Sequence, residues 1–210
     1  MAGIDGIDIG KSQTSSATKD PSDFCMVIYK RAHGLSDPQI VCIYKDRPQD
    51  VREAFKIGIC LARYYNAKIN IEATRMSLVT WAREHDSLQY FMKRPRASLA
   101  NVSSGKSTSY GTPATAAIID HQTDLIAGHV EDYSHTIWFE NLLDELIRYN
   151  DENKTKFDII AALAMALLAD EELSGKIPFV VEKDDAVFEH FGYYTDINGH
   201  TKFGKLQNQQ

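Results

Sequence analysis

The ten residues GIDGIDIGKS (3–12) decide how this chain is read. They set two aspartates, Asp5 and Asp8, on an apolar run and follow it with Gly10-Lys11-Ser12. As a phosphate loop they would open a nucleotide-binding fold; as a strand carrying an acid they would open a sheet with chemistry at its end. A Walker loop needs glycine five residues before its Gly-Lys pair, because backbone amides must wrap the phosphates. That position is Asp5 here, and before the second Gly-Lys-Ser, at 105–107, it is Ala100. Both fail where the cradle depends on glycine, and a carboxylate there would repel phosphate. The stretch reads instead as a buried strand, AGIDGID (2–8), followed by a polar turn.

GIDIG also resembles the first phosphate loop of the actin, chaperone and sugar-kinase superfamily. That architecture needs a second glycine-rich loop, and nothing after residue 114 supplies one.

Working outward, FCMVIYKR (24–31) and QIVCIYK (39–45) read as strands joined across AHGLSDP, whose Gly, Ser, Asp and Pro mark a turn. PQDVREAFKIGICLARYYN (48–66) spaces Val51, Phe55, Ile59 and Ala62 as a helix does, with Asp50 as its cap. AKINIE (67–72) is a short strand ending on an acid, RMSLVTWAREHD (75–86) a helix, and QYFMKRP (89–95) a fifth strand. The Ser-rich stretch 96–113 has no period and is expected to be a surface loop. Helices follow at 115–133 and 139–150, and then FDIIAALAMALLADEEL (157–173), apolar on nearly every side and so well buried. The order predicts an α/β fold: a mixed five-stranded sheet with helices on both faces and the first strand central. We expect one domain over 1–173 and a C-terminal extension over 174–210, with a β-hairpin turning at Asn198-Gly199 and a disordered KLQNQQ tail.

The 210 residues, 43% hydrophobic and 25% charged, are those of an ordinary soluble domain. No apolar run approaches the ~20 residues of a membrane span, and no signal segment opens the chain. Cys25, Cys42 and Cys60 form no Cys-x-x-Cys pair and read as reduced core thiols of a cytosolic protein, which excludes a structural zinc site. The histidines offer no metal-spaced pair; His121 and His129, on one helix, read as surface residues. A net charge of −6 argues only weakly against nucleic acid, because a nuclease concentrates carboxylates at its centre while clusters such as Lys93-Arg94 with Arg96 meet phosphate.

Three acids stand at the ends of elements that could converge: Asp5 or Asp8 on the first strand, Glu72 at the end of the fourth, and Asp158 at the start of the Ala-rich helix. If the fourth strand lies beside the first, Asp5 and Glu72 are neighbours. Gathering carboxylates is costly unless cations neutralise them, and an all-oxygen set suits magnesium or manganese. Two such ions ~4 Å apart orient a water and stabilise the charge of phosphodiester hydrolysis. Each acid also has an ordinary explanation: a turn residue, a salt bridge from Glu72 to Arg75, or Asp158 favoured by the helix dipole.

The set GID, SDFCMVIYKR, YYNAKINIEATR, GTPATAAIIDHQTDLIAGHVEDY and LLDELIRYNDENKTKFDIIAALAMALLA resembles the C-terminal nuclease domain of tailed-phage terminase large subunits, over residues 3 to 172. The INIE strand end and the LLDELIRYN and FDIIAALAMAL helices carry it most specifically. The family often places His and a second acid before the last one; here Lys156 and Phe157 precede Asp158. The resemblance implies an RNase H-like fold, with Asp5, Glu72 and Asp158 holding two Mg²⁺ or Mn²⁺ ions and Asp23 as an auxiliary acid. On a strand, Asp5 and Asp8 face opposite sides, and the A-G-I-D pattern favours Asp5 over Asp8.

The resemblance further implies a metal-dependent endonuclease cutting concatemeric double-stranded phage DNA in the cytoplasm of the infected host. Arg75, Lys93, Arg94, Arg96 and Lys106 would then contact phosphate. The packaging ATPase domain, the portal and the small terminase subunit would be its partners, with no membrane involved. The chain begins at the first nuclease strand, so we expect the nuclease part alone. A resolvase or transposase core is the rival enzyme, and a non-catalytic module docking on a motor or portal is the rival from another class.

Overall fold

Six of the seven residues of FCMVIYK are buried, and strand alternation sends them to two opposite cores. Phe24, Met26 and Ile28 enter one; Cys25, Val27 and Tyr29 enter the other. The computed structural model describes residues 23–73, 76–95, 110–150 and 157–174, together with the backbone of 2–5, 191–195 and 201–205. Strands β1 (Ala2–Asp5), β2 (Phe24–Lys30), β3 (Gln39–Asp46) and β4 (Ile69–Ile71) form a sheet in the order β3-β2-β1-β4. β2 is antiparallel to both β1 and β3, whereas β1 and β4 are parallel.

A parallel pair needs a crossover, and helix α1 (Val51–Tyr64) supplies it between β3 and β4. The Asp50 side chain accepts from the Arg52 amide and caps the helix, which buries Ala54, Phe55, Gly58 and Ala62. Helix α2 (Ser77–Glu84) adds Leu78, Val79 and Ala82 to the same core. The other sheet face is covered by α3 (Ala116–Tyr133), α4 (Glu140–Arg148) and α5 (Asp158–Ser174). In α5 every residue from Ile159 to Ala169 except Ala161 is buried, so the helix lies sunk between the sheet and its neighbours.

The expected five-stranded, RNase H-like sheet is corrected: among the described residues the main sheet has four strands. Instead of starting a strand, Leu88–Tyr90 form a 3-10 turn. Phe91 then makes a single parallel bridge to Ile69, and the Met92 amide donates to the Ile69 carbonyl at 2.9 Å. Pro95, three residues on, has no N–H to extend the ladder. Further along β4 the edge is taken by Thr112, from a different segment, through a bridge to Glu72. One edge is shared by two brief visitors.

Two side-chain placements also differ from expectation. Cys25 is buried and Cys42 half-buried, but Cys60 is exposed on α1. His129 is buried at 4% exposure against β2, whereas His121 is near the surface beside Glu171. Among the described residues no helix is long and apolar enough to cross a membrane.

The chain divides into two compact units, Met1–Lys176 and Ile177–Gln210. In the second, β5 (Phe191–Thr195) and β6 (Thr201–Lys205) pair antiparallel with Thr195 opposite Thr201, a register centred on position 198. The Asn198-Gly199 turn itself and residues 206–210 lie outside the described residues, as does most of 96–113.

Candidate functional site at one end of the sheet

The carboxyl ends of β1, β3 and β4 meet the amino end of β2, and pairing sets a row of positions across them. Lys45 of β3 is opposite Cys25 of β2, and Cys25 is opposite Asp5 of β1. Ile4 is opposite Ile71, so Asp5 and Glu72 each stand one residue beyond that pair on adjacent parallel strands. The backbone therefore makes Asp5 and Glu72 neighbours. Asn70 sends its side chain toward α5, donating to the Met165 carbonyl at 3.0 Å.

Glu72 is held firmly in this row. The Thr112 amide donates to the Ile71 carbonyl and the Ala73 amide donates to the Thr112 carbonyl, both at 2.7 Å. The Thr112 hydroxyl, fully buried, donates to Asn70 Oδ1 at 2.8 Å. Backbone on both sides of Glu72 is thus pinned to Thr112, and Thr112 to the floor beneath it.

Asp158, the first residue of α5, comes to the same end of the sheet. Its Oδ2 accepts from the Asp23 amide at 3.3 Å, just ahead of β2. Lys45 Nζ lies 3.3 Å from Asp158 Oδ2 and 3.1 Å from Glu145 Oε1 on α4. Glu145 Oε2 accepts from the amides of Ile159 and Ile160, at 3.0 and 3.2 Å. A helix start exposes amides without intrahelical partners, and here a carboxylate from another helix satisfies two of them. Burial by itself would lower the Lys45 pKa, but its hydrogen bond to Glu145 and the charges of Glu145 and Asp158 outweigh that and raise it. Lys45 is held as a cation.

The cationic residues expected to meet phosphate are deployed differently from one another. Lys93 is exposed, with its ammonium 4.3 Å over the Tyr110 ring. Arg94 donates from Nε to the Gly111 carbonyl at 2.6 Å, tying the segment after α2 to the one that holds Glu72. Asp8, Arg75, Arg96 and Lys106 lie outside the described residues, as does the Asp5 side chain. Among the described residues no three His, Cys, Asp or Glu side chains group closely enough to hold a metal ion.

Lys45 and Glu145 went unnoticed in the sequence, although Glu145 left a trace there. Leu142, Glu145, Leu146 and Tyr149 follow the i, i+3, i+4, i+7 spacing of an inward face, and a carboxylate on that stripe asks for a buried partner. It is only 5% exposed. Compared with protein-family models, curated proteins and solved structures, the chain matches none.

Proposed function

We propose that this chain is a divalent-metal-dependent DNA endonuclease, the nuclease part of a tailed-phage terminase large subunit. It would cut concatemeric double-stranded DNA as genome packaging starts and ends, in the cytoplasm of the infected host. The observation that carries this reading is the pairing that makes Asp5 and Glu72 neighbours at the end of the sheet where α5 brings Asp158. Carboxylate oxygens are the donors that suit Mg²⁺ or Mn²⁺, and the Asp23 amide holds Asp158 at this end of the sheet.

In this reading Asp5, Glu72 and Asp158 hold the ions, with Asp23 beside them and Asp8 as the alternative first ligand. Held there, divalent ions would activate a water and offset charge on the phosphate. The Asp23 amide fixes the Asp158 carboxylate, and Thr112 fixes the backbone at Glu72. Lys93, exposed on the segment after α2, and Arg94, which ties that segment to Gly111, are proposed to contact phosphate. Arg75, Arg96 and Lys106 complete the proposed DNA contacts, which position a duplex without reading its sequence. The ATPase domain, portal and small subunit would time the cut.

The test is plasmid cleavage in Mn²⁺ by the purified chain. Asp158→Asn should abolish cutting while the circular dichroism spectrum stays that of the parent. Cutting retained in the pure variant overturns the assignment. Four-way junctions and nicked transposon ends as substrates separate it from a resolvase or transposase core. A non-catalytic assembly module is favoured by one observation: Trp138, Leu143 and Ile147 are exposed on and beside α4. Such a module would show no saturable stabilisation by Mn²⁺.

A further inference from the structure

Among the described residues Lys45 is a cation in contact with Asp158, and it is shared. Its Nζ divides itself between Asp158 Oδ2 and Glu145 Oε1, at 3.3 and 3.1 Å. Glu145 in turn is anchored by the Ile159 and Ile160 amides, which take its other oxygen. The carboxylate that competes for Lys45 therefore cannot swing away from it, and it is fixed to the same helix turn that carries Asp158.

We propose that Lys45 is a built-in counter-cation of the site, and that Glu145 sets how strongly it opposes a divalent ion at Asp158. The inference rests on the nuclease reading above and adds a regulator to it. A divalent ion approaching Asp158 meets the repulsion of an ammonium one contact away. Glu145 draws that ammonium toward α4 and leaves the Asp158 oxygens more available. Removing the charge of Lys45 and removing the charge of Glu145 should thus move metal affinity in opposite directions. A merely structural role for the pair would weaken binding in both.

Three variants of the full chain test this, with Mn²⁺ titrated in a calorimeter and no DNA present. Lys45→Met should bind Mn²⁺ about three- to tenfold more tightly, the scale of one nearby charge in a partly solvated setting. Glu145→Gln should bind it at least about threefold more weakly. Its carbonyl oxygen still accepts from the Ile159 and Ile160 amides, while its NH₂ turns toward Lys45 and drives the ammonium onto Asp158. Lys45→Arg keeps the charge and should stay near the parent value. Hydrogen exchange at the Ile159 and Ile160 amides, expected to be unchanged in Glu145→Gln, shows that the helix start is intact. Shifts in the same direction for Lys45→Met and Glu145→Gln, or no shift in either, overturn the inference alone. No saturable Mn²⁺ binding by the parent chain overturns the nuclease reading and this inference with it.

Discussion

Gly111 has φ +84°, a backbone region that side-chain-bearing residues seldom enter. A Cβ there would stand 2.8 Å from the Ala73 Cα, closer than non-bonded carbons tolerate. Glycine is needed at 111 for conformation and for room together, since the chain must pass close to the backbone just after Glu72. Gly111→Ala should cost about 1–3 kcal/mol, read from the urea midpoint, because neither backbone can yield without breaking the Thr112 bonds. A variant as stable as the parent would show that the segment gives way freely. The same scale explains why Glu72 was legible as an ending: a short apolar strand running into an acid is visible in INIE. What fastens it was not, because Thr112 lies forty residues away in a stretch with no periodic pattern.

Between elements, the packing of α3 on β2 buries a titratable pair. The Tyr29 hydroxyl lies 3.5 Å from His129 Nδ1, and His129 Nε2 has no hydrogen-bond partner among the described residues. Burial lowers the His129 pKa below its ordinary 6.5, against the opposing pull of Asp132 and Asp170. Burial raises that of Tyr29, with Asp170 and Tyr133 adding to the effect and Arg31 opposing it. The folded chain therefore takes up this proton at lower pH than the unfolded chain, which takes it at the ordinary value. The stability this contributes is present above about pH 6.5 and is lost as pH falls toward and through the lowered folded pKa. Urea midpoints measured from about pH 8 down to about pH 5 should decline for the parent, by at most about 1.4 kcal/mol per pH unit from this group. His129→Gln should flatten that decline; an unchanged slope would assign it to other groups. Helical period placed the helix but not this residue's face, because α3 carries polar residues on much of its surface, and burial is decided by what packs against it.

At the scale of the whole chain, the two compact units make a prediction of their own. Among the described residues the second unit holds a two-stranded hairpin, which builds no core by itself, so we expect the cooperative transition to belong to the first unit. A chain ended after Lys176 should keep the helical circular dichroism of the parent and unfold in a single transition. Loss of cooperativity would show that residues 177–210 complete the first unit. Legible from the sequence alone were strands β1 to β4, helices α1 to α5 and the burial of α5 nearly all round. Each follows from local periodicity, which records which faces of an element are apolar. Only the tertiary structure decided that QYFMKRP makes one bridge and not a fifth strand, that β4 shares its edge between Phe91 and Thr112, and that Lys45 stands between Glu145 and Asp158. Lys45 and Glu145 are 100 residues apart. Which charges meet across such a distance depends on how three layers close on one another, and periodicity along a single element carries no record of that.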